Sequence, residues 1–135
     1  MTRILMIDGD RTLSQSVAMA CLEGGVAIRM AETLCEGVRY MVNDPVSAVL
    51  VDSTLLMLHA GERARLFDAV APGVPVVVLT EPASLVEEVV EWELEGFQVV
   101  PKPFDVRDIL AKLELAARSR PARPGAAARV ETLCG

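Results

Sequence analysis

The chain has 135 residues, about the size of one domain, and is 52% hydrophobic but only 4% aromatic, so it can build a sizeable core that must be mostly aliphatic. Its net charge of −6 argues against direct nucleic-acid binding, which needs a basic footprint, and no apolar run reaches the roughly 18 residues needed to cross a bilayer. Three widely spaced cysteines (Cys21, Cys35, Cys134) and a single histidine, His59, argue against a disulfide framework and against zinc, and fit a reduced cytoplasm.

The opening "MTRILMID" is too short and too acidic for a secretory signal. Within it, residues 3–8 read as a strand apolar on both faces, ending in Asp8-Gly9-Asp10. Asp10 can cap a helix over 11–23, where Leu13, Val17 and Ala20/Cys21 form one stripe and Gly24-Gly25 stops it. Residues 26–31 form a second strand, interrupted by Arg29 as an edge strand would be. A helix over 32–43 turns Leu34, Val38 and Met41/Val42 inward and ends at Asn43-Asp44-Pro45. "VSAVLVD" (46–52) is a third strand, again ending in an aspartate, Asp52. A loop over 53–61 leads to a helix over 62–71, and Pro72-Gly73 turns into "VPVVVLT" (74–80), the most continuous β-branched run. The helix over 83–95 reads with Leu85, Val86, Val89 and Val90 as its core stripe. Trp92 falls off that stripe, and two readings stay open: an exposed interface anchor, or packing against the fifth strand. "FQVV" (97–100) is that strand. Pro101-Lys102-Pro103 is a stiff turn, and Asp105 caps a last helix. The tail from residue 119 to 135 changes to Pro, Ala, Arg and Gly and reads as a disordered end or linker, leaving one domain over 1–118.

Five βα units with strands apolar on both faces predict an α/β fold: a doubly wound, five-stranded parallel sheet, (βα)5 and flavodoxin-like, in the order 2-1-3-4-5. Ligands of such sheets bind at the carboxyl ends of the strands. Asp8, Asp10, Asp52, Thr80 and Lys102 all fall there. Asp52 at the tip of the central strand can be a nucleophile toward a phosphoryl group. A Mg²⁺ held by one or two carboxylates, together with Lys102, would neutralise charge, and the Thr80 hydroxyl could donate to a phosphoryl oxygen. A small phosphate-bearing ligand is a poorer fit, because Gly9 stands alone with no Gly-rich phosphate loop.

The set "ILMIDGD", "VLVD" ending at Asp52, "VVVLT" ending at Thr80 and "PKPF" carrying Lys102 resembles the receiver domain of two-component response regulators, over residues 3 to about 117. The resemblance implies a phosphoprotein of a phosphorelay in cytoplasmic signal transduction. Asp52 would be the phosphoacceptor, and Thr80 and Lys102 would sense the phosphoryl group. Asp8, Asp52 and the backbone carbonyl of Thr54 would organise Mg²⁺. It further implies a histidine kinase or phosphotransfer protein as donor and a downstream effector protein as output. A partner face on the fourth helix, fifth strand and fifth helix, including Trp92 and Val99, would bind that effector or form a homodimer. The chain would not be a turnover enzyme, and since no effector domain follows, output would pass through another protein.

The sequence departs from this pattern at four places. Gly9 stands where a second metal-binding carboxylate is usual, so metal binding would be weak or absent unless Asp10, otherwise a helix cap, compensates. Val99 replaces a common aromatic, Glu81 follows Thr80 where a small residue is usual, and Leu56 stands where proline is expected. Leu55 to Leu58 form four consecutive apolar residues that need burial or a partner. The alternative expectation is therefore a phosphorylation-independent pseudo-receiver, a protein–protein interaction module that kept the fold.

Overall fold

The structure, a computed structural model, describes residues 2–119; the expected tail, Cys134 within it, lies outside the described residues beyond Ser119. Five strands, β1 (Arg3–Ile7), β2 (Ala27–Ala31), β3 (Ala48–Asp52), β4 (Val76–Thr80) and β5 (Gln98–Pro101), alternate with five helices. These are α1 (Arg11–Glu23), α2 (Leu34–Asn43), α3 (Ala60–Val70), α4 (Val86–Leu94) and α5 (Val106–Ser119), with one 3₁₀ turn at Ser53–Leu55. All strand pairs are parallel and the order is β2-β1-β3-β4-β5, as expected from the sequence.

The period of two along each strand divides the core into two layers. Ile4, Met6, Ala48, Leu50, Val77 and Leu79 face α1 and α5, where they meet Val17, Cys21, Ile109 and Leu113. Leu5, Ile7, Val49, Val51 and Val78 face the other way, toward Val38, Met41, Phe67 and Trp92. Strands β3 and β4 are buried along their whole length, which explains their continuous apolar reading, while β2 at the edge exposes Arg29 and Met30. Helix starts follow capping chemistry: Asp10 accepts from Leu13 N at 3.2 Å and Thr33 from Glu36 N at 3.2 Å. Asp105 accepts from Arg107 N at 2.9 Å at the start of α5. Gly37 of α2 lies so close to β1 that a Cβ there would sit 2.5 Å from Ile7 Cδ1.

Helix α4 departs from expectation in start and orientation. It begins at Val86, not at 83, and Leu85, Val86 and Val90 are exposed by 62%, 74% and 46%, so they are not its core stripe. The buried residue is Trp92, at 7% exposure, so of its two open readings the packing beside the fifth strand holds and the exposed partner-face anchor is corrected. Its ring packs edge-on to Phe97, which in turn packs edge-on to Phe67, and the Arg63 guanidinium lies over it at 3.7 Å. This cluster fills the space between α3, α4 and β5. Once Trp92 faces in, the helical period turns Val86, Val90 and Leu94 outward. Val99, also read as part of the partner face, is half-buried and packs against the same core layer.

Candidate functional site

The parallel sheet sets the site. In register, Asp52 lies opposite Leu79 and Thr80 opposite Pro101, so the ends of β3, β4 and β5 stop at neighbouring points. Asp8 follows the last residue of β1, where its N–H donates to Ala31 O at 3.0 Å, and Lys102 follows β5, where its N–H donates to Thr80 O at 2.9 Å. Four groups far apart in sequence therefore converge on one edge of the sheet.

Lys102 Nζ is 3.1 Å from Asp8 Oδ2 and 3.8 Å from Asp52 Oδ1, so one ammonium spans both carboxylates. Asp8, Asp52 and Thr80 are all buried and the Lys102 side chain is 17% exposed. Burial by itself would lower the Lys102 ammonium, but the close Asp8 carboxylate, with the charges of Asp52 and Glu81, holds it above its ordinary value. The ammonium is thus the fixed positive charge of the site at neutral pH.

Each carboxylate keeps part of its capacity open. Asp8 Oδ1 accepts from Asp10 N at 2.9 Å, whereas buried Asp8 Oδ2 has its ion pair with Lys102 but no well-directed hydrogen bond. Asp52 accepts from the Thr54 hydroxyl at 2.9 Å and from Thr54 N at 3.4 Å. The carboxylate of Asp10 is exposed and engaged as the α1 cap. Gly9 is exposed, with nothing within 4 Å of where a Cβ would stand. Among the described residues no cluster of three or more acids, histidines or cysteines is placed to hold a metal ion. What remains is a two-carboxylate site with one under-satisfied buried oxygen, which suits a hydrated oxygen-seeking cation held by few protein ligands.

Arg63 is the residue that the sequence reading missed. Its guanidinium donates through Nε to Glu95 Oε1 at 3.0 Å and through Nη2 to Glu95 Oε2, and lies 3.7 Å from Glu91. With its stacking on Trp92, this pair ties α3 to the end of α4 behind the site. The apolar loop residues divide: Leu56 is buried, while Met57 is 84% and Leu58 39% exposed. His59 precedes α3 with no side-chain cap.

No family model matches the chain. Over 116 residues, 86% of the chain, it is 27% identical to the response regulator MprA of Mycobacterium sp. (strain KMS). Over 120 residues, 88% of the chain, it is 27% identical to MprA of Mycobacterium avium (strain 104). The chain spans about half the length of these relatives, 50% and 53%. Among solved structures, the CheY-like receiver domain protein of Methanospirillum hungatei JF-1 superposes with a TM-score of 0.75 at 23% identity, covering 88% of this chain and 95% of that one. The beryllofluoride-activated NtrC4 receiver domain dimer gives 0.76 at 20% identity, covering 88% and 98%. A response regulator of Burkholderia pseudomallei, solved with a phosphorylated aspartic acid, calcium ion and citrate, gives 0.72 at 24% identity, covering 88% and 70%. The fold of this chain is that of CheY-like receiver domains, and its sequence resembles the response regulators of two-component signalling.

Proposed function

We propose that the chain is a phosphoryl-accepting receiver in a two-component phosphorelay, with Asp52 as the acceptor. The observation that carries this reading is the Lys102 ammonium standing 3.1 Å and 3.8 Å from two carboxylates at the ends of different strands. A cation fixed in that position can follow the charge of an arriving phosphoryl group, and so favours the product at Asp52. In the transfer, an Asp52 carboxylate oxygen forms the new bond to phosphorus as the bond to the donor's imidazole nitrogen breaks. The donor is a histidine kinase or phosphotransfer protein. Asp8, Asp52 and the Thr54 carbonyl would hold Mg²⁺, which supplies further neutralisation of phosphoryl charge. Thr80 donates its hydroxyl to a phosphoryl oxygen, and Lys102 exchanges part of its pairing with Asp52 for the new anion. That exchange releases the β4–α4 and β5–α5 connections to shift, and an effector protein or a second copy reads the shift on the surface of α4, β5 and α5. The protein transfers a signal in the cytoplasm and does not turn over a substrate. Among the described residues no helix is long and apolar enough to cross a membrane.

A second reading is favoured by one observation: Gly9 offers no carboxylate to a cation beside Asp8 and Asp52. With a divalent site so short of acids, the same fold would serve as a phosphorylation-independent interaction module. Incubation with acetyl phosphate and Mg²⁺, followed by intact-protein mass spectrometry, separates the two. Gain of one phosphoryl group that is lost in Asp52→Asn supports the first. An unmodified, folded protein at millimolar Mg²⁺ supports the second.

A further inference from the structure

Beside the phosphoryl-accepting edge, a groove of about 410 Å³ runs between the loop after β3 and the start of α4. Its exposed apolar surface comes chiefly from Met57, above the buried Leu56 and Trp92, and its walls carry Glu81, Glu88 and Glu91. Met57 stands 84% exposed on the rim, in a loop whose apolar run the core absorbs only through Leu56 and, in part, Leu55. The one cation in the lining, Arg63, is committed to Glu95 and Glu91 and covered by Trp92. From Glu81 to Pro101 the chain has six glutamates and no lysine or arginine. The groove is therefore apolar at its base and negative at its walls.

We propose that this groove seats a basic amphipathic helix of a partner protein, with an apolar side chain against Met57 and lysine or arginine against Glu81 and Glu88. A flexible methionine beside a helix is a surface that adapts to an inserted apolar residue, and a helix lying in a groove is the occupant that offers apolar anchors and charges at regular spacing. Among the described residues of a second copy no helix supplies it, because each is close to neutral or acidic. The seat lies on the α3 side of α4, away from the outward row Val86, Val90 and Leu94. It needs no phosphoryl group, so its test stands apart from whether Asp52 accepts one.

The full chain is titrated at low salt, without any phosphoryl mimic, with a synthetic leucine–lysine peptide of helical spacing and with its leucine–glutamate counterpart. Trp92, the single tryptophan, reports from the groove. The lysine peptide is expected to change Trp92 emission and to weaken with added salt, and the glutamate peptide to do nothing. Glu88→Lys is expected to weaken binding by about tenfold and Met57→Ser by about threefold or more, whereas Glu93→Lys, with the same change in net charge outside the groove, stays within about twofold. Binding lost equally in Glu93→Lys would mean attraction to general acidity and would overturn the proposal. So would loss in Leu94→Ser with Met57→Ser unaffected, equal binding of the glutamate peptide, or no response to either peptide at millimolar concentration.

Discussion

Replacing Lys102 by Met removes the one cation between Asp8 and Asp52 while keeping most of the side-chain volume. The Asp8 side chain is 1% exposed, and its Oδ2 has no other partner. Breaking a fully buried ion pair by deleting one member costs about 3–5 kcal/mol. Here Lys102 is 17% exposed, so water reaches the vacated place and the loss is expected nearer 2–4 kcal/mol. For a domain of this size that lowers Tm by about 10 °C. Adding Asp8→Asn to Lys102→Met should return much of the loss, since no buried charge then remains. Urea unfolding followed by Trp92 fluorescence reads all three proteins. A Lys102→Met loss below about 0.5 kcal/mol, or a double variant no better than the single, would mean that the ion pair does not organise this edge of the sheet.

Other consequences follow from the packing. Gly37→Ala in α2 would normally gain about 1 kcal/mol of helix propensity, but its Cβ would meet Ile7 Cδ1 at 2.5 Å and Cγ1 at 2.8 Å, so a net loss of about 1–2 kcal/mol is expected by urea unfolding. Ile7→Val, which removes Cδ1, should make the double variant cost less than the sum of the singles. Arg63→Met should cost about 2–4 kcal/mol, because Glu95 at 12% exposure loses its partner, and should alter Trp92 emission as the guanidinium leaves its ring. Among the groups raised on folding are the Cys21 thiol, by burial and then by the charge of Glu114, and the Lys102 ammonium, by its carboxylates against the effect of burial. A group raised on folding contributes fully below its unfolded value and loses that contribution as pH climbs through its folded one. Stability should therefore hold to about pH 9 and decline above it, and Cys21→Ala should flatten the first part of the decline in urea titrations.

Much of this architecture is legible in the chain because its signals are local or follow a rule of topology. Apolar runs such as "VLVD" and "VVVLT" identify strands buried on both faces, and a parallel sheet brings their carboxyl ends together, so Asp8, Asp52, Thr80 and Lys102 could be placed on one edge before any distance was known. Asp10 was readable as a cap because its acceptor role is spent within three residues. Helix α4 was not readable in the same way. Its aliphatics fit a helical core stripe as well as Trp92 does, and the choice depends on Phe67 and Phe97, which reach the cluster from other elements. Arg63 gave no signal at all, since its partner Glu95 lies 32 residues away, just past the end of a helix with four glutamates of its own. Long-range pairing of side chains leaves no period in a sequence. For the same reason the exposed Met57 was recognisable only as an apolar excess, not as the rim of a groove.

The claim that the four strand-end residues form one anion-accepting site is tested most directly by amide NMR during titration with beryllium fluoride and Mg²⁺. Wild type should shift the amides of Asp52, Thr54, Thr80 and Lys102 together. Gly9→Asp, whose side chain has open space around it, should do so at lower Mg²⁺ concentration. Absence of these shifts in both proteins at millimolar Mg²⁺, or shifts at Asp52 that leave Thr80 and Lys102 unmoved, would contradict it.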